Sequence, residues 1–142
     1  KYLPGLYCNE RLKHMKHMKT PRAPDNAGGY SDGNVFYSPE KWGLKTVGSL
    51  NNGGGFDFDY FSVWIDASGF LYAAEDSGCS CPYPFENVTT IEQLTRYSNA
   101  SDLEVAMVAW KETDYRANGV MRGEIDALVS KAKAMQREAR EA

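Results

Sequence analysis

Histidine, cysteine and long apolar runs are scarce in this 142-residue chain. Its two histidines, His14 and His17, both lie near the start, so no Ser-His-Asp or Cys-His arrangement is readable and a nucleophilic hydrolase is not expected. The three cysteines, Cys8, Cys79 and Cys81, form an odd set, which argues for reduced thiols and against a secreted disulfide framework. No stretch approaches the roughly 18 apolar residues of a membrane span, and the start is basic and polar where a secretory signal needs an apolar core. A cytoplasmic protein without a membrane partner is expected, and the sequons Asn87-Val88-Thr89 and Asn99-Ala100-Ser101 are then incidental. Because the chain opens on Lys1 and not Met, further residues upstream are expected. A phosphate-binding loop, a dinucleotide glycine pattern and a metalloprotease helix are absent too.

Aromatic residues and segregated charge stand out against these absences. The length suits one domain that buries a core without a metal or disulfide. Hydrophobic residues make up 42%, while the aromatic share of 13%, with nine Tyr and three Trp, favours β structure or an interaction surface. The net charge of −3 hides a division: residues 1–24 carry six Lys or Arg against one Glu, residues 25–110 carry three against twelve acids, and residues 111–142 carry seven against six. A basic leader precedes an acidic body. Such a leader is most often solvated, and it also suits nucleic acid or an acidic partner.

Pro4, Pro21, Pro24, Gly28 and Gly29 break the first 33 residues, leave room for a short helix only at 9–19, and make residues 1–34 a Pro/Gly-rich basic arm. Strands are expected at 35–37 and 43–50. Asn51-Asn52-Gly53-Gly54-Gly55 tolerates positive φ and predicts a hairpin, after which 56–65 alternates and then changes phase at Tyr60-Phe61, through a bulge or burial on both faces. This is the expected central strand. Asp66-Ala67-Ser68-Gly69 is a turn sequence, and 70–74 return as a third strand. Asp76 to Phe85 then crowds two thiols, two prolines and a glycine into a rigid loop. Thr89-Thr90-Ile91-Glu92 and Ser101-Asp102-Leu103-Glu104 fit the capping box and predict helices at 90–98 and 102–112, the second with Leu103, Ala106, Met107 and Trp110 on one face. From Gly119 onward, Met121, Ile125, Leu128, Ala132, Met135 and Ala139 form a heptad-like seam, for packing on the body or for a coiled-coil contact with a partner or a second copy. The expected fold is α+β: a small antiparallel β-meander of three to four strands, two short helices and a longer C-terminal helix. Its body spans 35–113 and its amphipathic helix 114–142.

Three kinds of chemistry are weighed against structural roles. Cys79 and Cys81 are a possible zinc pair, with Cys8, His14 and His17 able to complete a ligand set; the Cys-x-Cys spacing is tighter than structural zinc sites use, and no cofactor is the first expectation. Thiol catalysis is disfavoured because Glu75 and Asp76 beside Cys79 oppose a thiolate. Asp57, Asp59 and Asp66 offer carboxylates for a glycosidase pair or a hard cation, but Asp57 and Asp59 share one strand face, where charge ordinarily keeps a sheet soluble. Arg11, Lys13, Lys16, Lys19 and Arg22 offer phosphate contacts for RNA or DNA without the interleaved aromatics of single-strand binders.

Phe36-Tyr37-Ser38-Pro39-Glu40-Lys41-Trp42-Gly43-Leu44, then Phe61-Ser62-Val63-Trp64, then Leu71 to Pro82 and Phe85-Glu86, give residues 35–98 an order of motifs that resembles an uncharacterised family of small proteins encoded by phages of actinobacteria. The resemblance implies an origin and brings no activity. It directs the expectation to a non-enzymatic protein-binding module in the host cytoplasm whose partner is a host or virion protein. Phe58, Tyr60, Trp64, Tyr83, Phe85, Met121, Ile125 and Leu128 are the expected contact residues.

Overall fold

The computed structural model describes residues 20–30, 32–79, 81–112 and 119–141. Alternating and β-branched sequence sets the sheet. Strands β1 (Lys45–Asn51), β2 (Asp57–Ile65), β3 (Leu71–Cys79) and β4 (Thr95–Tyr97) pair antiparallel in that order, which is the expected meander of three to four strands. Two helices follow, α1 (Ala100–Glu112) and α2 (Arg122–Glu141), so the fold is α+β. No helix of the described residues is long and apolar enough to cross a membrane.

The β1–β2 hairpin is held by side chains of the sequence that predicts it. Asn51 Oδ1 accepts the Gly53 and Asp59 amides, and Asp57 Oδ1 accepts that of Gly54. The β2–β3 ladder then runs unbroken from Asp57 opposite Cys79 to Ile65 opposite Leu71. The phase change at Tyr60-Phe61 therefore marks burial on both faces and not a bulge in this ladder: Phe61, Val63 and Ile65 join the core under the helices, while Trp64 joins a second core on the other face. The irregular step lies instead in β1, between Thr46 and Gly48. A Cβ at Gly48 would stand 2.7 Å from Leu128 Cδ1, so the missing side chain is what lets α2 approach the sheet.

Four expected elements differ, the first being the loop expected at 76–85, whose residues 76–79 continue β3 through their pairing with β2. Residues 35–37 form a turn, not a strand, because Asn34 Oδ1 captures the Phe36 amide at 2.7 Å and draws Val35 into the core. The helix expected at 90–98 is a 3₁₀ turn, Ile91–Gln93, followed by β4. Its capping box forms one residue later than expected, between Thr90 and Gln93, and the chain then bonds to β3 and buries Leu94. The helix expected at 102–112 starts at Ala100 and is capped by Asn99, whose Oδ1 accepts the Asp102 amide at 2.9 Å. The earlier start adds Ala100 to the buried stripe of Leu103, Met107 and Trp110.

The described parts of both expected appendages pack on the body. Residues 20–30 and 32–34 are tied to it by Arg22 N–H donating to Trp42 O, Gly29 N–H to Glu86 O and Trp42 Nε1–H to Gly33 O. Helix α2 crosses the sheet with Ile125, Leu128, Val129 and Ala132 buried in the first core. Asn52 Oδ1 accepts the Val120 amide just ahead of it, and Gln136 Nε2 near its end donates to the carbonyls of Gly69 and Ser98. The helix expected at 9–19 lies outside the described residues.

Candidate interaction surface

The helices cover one face of the sheet; irregular chain covers the other. That second core consists of Val35, Trp42, Leu44, Trp64, Tyr72, Phe85 and Leu94. Asn34 organises its rim. Fully buried, it donates through Nδ2 to Gly29 O at 2.7 Å and to Pro84 O at 3.0 Å while its Oδ1 holds Phe36, so one side chain fixes its own stretch and joins it to the loop at Pro84. The Cys-Pro loop is anchored from below, where the Phe85 amide donates to Asp76 Oδ2 at 2.6 Å. Phe85 adopts φ 60, a left-handed conformation unusual for a bulky residue, and its ring is fully buried against Trp64 and Phe36.

These anchors place four tyrosines around one surface. Tyr30 and Tyr83 stack with ring centroids 4.3 Å apart, Tyr37 meets Phe36 edge to face, and Tyr60 on β2 packs between Phe36 and Phe58 at 5.0 and 5.5 Å. Tyr30 is 71% exposed, Tyr37 51% and Tyr83 41%; Tyr60 is half-buried. The Tyr37 hydroxyl is held above its ordinary pKa by partial burial first, and then by its neighbours Tyr60, Tyr30 and Tyr83. The four phenols are thus electrostatic neighbours, and Tyr37 stays protonated and able to donate at neutral pH.

The description Domain of unknown function (DUF7574) matches residues 33–138. The chain belongs to this family. No curated protein and no solved structure matches it. The DUF7574 match runs beyond residues 35–98 and through most of α2, so the terminal helix is part of the family's domain and not an appendage to it.

The sequence-predicted contact residues of this DUF7574 chain divide between surface and interior. Tyr83 is at the surface, Tyr60 and Phe58 lie half-buried beside it, and Met121 is exposed just before α2. Trp64 and Phe85 are instead buried in the second core and Ile125 and Leu128 in the first, so none of these four presents a contact face. The seam's Ile125, Leu128 and Ala132 are covered by the chain's own fold, while Met121 is exposed and Met135 and Ala139 are half-buried. Tyr30, Tyr37 and Asn34 escaped the sequence reading because they fall in stretches taken as arm and strand. The only sequence signal for them is the density of Tyr and Asn among glycines between 26 and 37.

Cys79 and Cys81 are free and exposed. Among the described residues no group of three His, Cys, Asp or Glu side chains is placed to hold a metal ion; Cys8, His14 and His17 lie outside them. Of the phosphate-directed residues, Arg22 is exposed, while Arg11, Lys13, Lys16 and Lys19 lie outside the described residues. Two of the three candidate carboxylates, Asp57 and Asp66, are occupied by structure. Asp66 accepts the Ser68 and Phe70 amides and the Tyr72 hydroxyl, and Asp57 closes its hairpin.

Proposed function

We propose that this DUF7574 protein is a non-enzymatic protein-binding module whose recognition surface is the tyrosine cluster Tyr30, Tyr37, Tyr60 and Tyr83. One observation carries the reading: the stretch around Gly29–Phe36 and the loop at Pro84, some 50 residues apart, are locked together by a buried Asn34, and the product of that locking is a preorganised, largely exposed set of phenols. Tyrosine supplies large contact area at low entropic cost and keeps a hydroxyl for hydrogen bonding, which is why it is enriched in binding surfaces. A rigid scaffold beneath it lowers the cost of association further. The resemblance of residues 35–98 to small phage-encoded proteins directs the reading to a host or virion protein as partner, met in the host cytoplasm.

The test is affinity capture from infected cells with the full chain and a variant carrying Tyr30→Ser, Tyr37→Ser and Tyr83→Ser, with metal analysis of both eluates. The expected result is one stoichiometric partner held by the parent and lost by the variant at an unchanged thermal midpoint. Retention of that partner by the variant overturns the surface assignment, and stoichiometric zinc without a partner moves the function to Cys79 and Cys81.

A further inference from the structure

The two edges of the sheet are treated differently. The β1 edge carries Lys45 and the irregular step at Thr46–Gly48, both devices that discourage strand addition. The β3 edge carries neither. Its partner β4 pairs only with Leu71, Tyr72 and Ala73, although β3 continues to Cys79. Hydrogen-bond parity shows which groups are left over. The Asp66 amide donates to Phe70 O, so the even-numbered residues of β3 bond to β2, and the backbone groups of Leu71, Ala73, Glu75, Ser77 and Cys79 point outward. The first two meet β4. The Ser77 amide is taken by Asp76 Oδ1 at 3.0 Å, which leaves both backbone groups of Glu75 and the carbonyl of Ser77 without a strand beyond them.

β4 stops short because Gln93, which would stand opposite Glu75 if the ladder continued, is held in the 3₁₀ turn. Its Oε1 accepts the Thr89 and Thr90 amides at 2.7 and 2.9 Å. A groove of about 370 Å³ occupies the vacated line, between Ala74, Glu75 and Asp76 on one side and Asn87, Val88 and Gln93 on the other. Its lining contains two carboxylates and no Lys or Arg. The Glu75 side chain is exposed and has no hydrogen-bond or ion-pair partner among the described residues.

We propose that the outer edge of β3 at Glu75–Ser77 is a strand-addition site that takes an extended peptide segment bearing Lys or Arg opposite Glu75. The incoming strand continues the line of β4, supplies the missing backbone partners, and sets a cation across from Glu75 on the same sheet face, where opposite charges stabilise a cross-strand pair. Partial desolvation and the nearby Asp59 carboxylate raise the Glu75 pKa, and a cation set opposite Glu75 offsets both by favouring the ionised carboxylate. The site is separate from the tyrosine surface and does not depend on it.

The experiment is an amide NMR titration of the full chain with a short peptide of alternating Lys and Thr, beside an alternating Glu and Thr peptide and a Lys-Thr peptide N-methylated at alternate residues. Saturable shifts centred on residues 74–78 with the first peptide, lost on N-methylation, are expected. Glu75→Gln should weaken binding roughly fivefold, and Glu75→Lys should reverse the preference between the Lys and Glu peptides. Tyr83→Ser should leave the titration unchanged. No saturation by about 1 mM, equal binding of the N-methylated peptide, or an unreversed preference in Glu75→Lys overturns the proposal.

Discussion

Asn34 and Asp66 each do the work of a short stretch of secondary structure with one polar side chain. Asn34→Ala would leave the carbonyls of Gly29 and Pro84 and the amide of Phe36 without this partner in a part-buried setting, so a loss of about 1–3 kcal/mol is expected, read as a lower denaturant midpoint with an unchanged slope. The Tyr30–Tyr83 stack should loosen with it, visible as weaker partner capture. Asp66 sets a pH dependence through Tyr72. Burial first, and then the hydrogen bond and charge of Asp66, push the Tyr72 hydroxyl up to about 12, against a lowering effect of Arg96. The folded chain holds this proton more tightly than the unfolded chain, whose phenols titrate near about 10. Stability from the pair is therefore complete below that value and is lost as pH rises toward about 12. Alkaline unfolding should be steeper for the parent than for Tyr72→Phe; equal slopes would dissociate Tyr72 from that transition.

Helix α2 shows how an element's pattern can be legible while its role is not. The spacing of Ile125, Leu128 and Ala132 announces one apolar stripe, and the same stripe suits a coiled coil or a sheet. Its occupant is decided by Gly48, whose bare backbone admits Leu128. Gly48→Val should cost about 1–3 kcal/mol by overpacking, recovered in part by adding Leu128→Ala, and a double-mutant cycle measures the recovery. Ile125→Glu with Leu128→Glu should unfold the domain, seen as loss of near-UV circular dichroism, and not merely weaken a contact. The stretch 90–98 illustrates the converse. Its capping signal is genuine and forms, but pairing of Thr95–Tyr97 with β3 and burial of Leu94 outweigh one helical turn with no apolar face to bury.

At the scale of the molecule, a four-stranded sheet carries a helical layer on one face and irregular chain from the stretches around Asn34 and Phe85 on the other. Deleting residues 1–34 should therefore lower the thermal midpoint, because it removes Asn34 from the rim of the core that holds Trp42 and Phe85. By itself the sequence determined the class: period-two alternation, glycine-rich reversals and two helical stripes specify an α+β meander followed by helices, because these signals act over a few neighbouring residues. It also determined the acidic body and the aromatic weight. Only the tertiary structure decided which aromatics are surface and which are core. Trp64 and Tyr60 share one face of β2, yet Trp64 lies beneath loop residues and Tyr60 at their margin. That difference depends on where Gly29, Asn34 and Pro84 meet, contacts spanning up to 50 residues that no local pattern encodes.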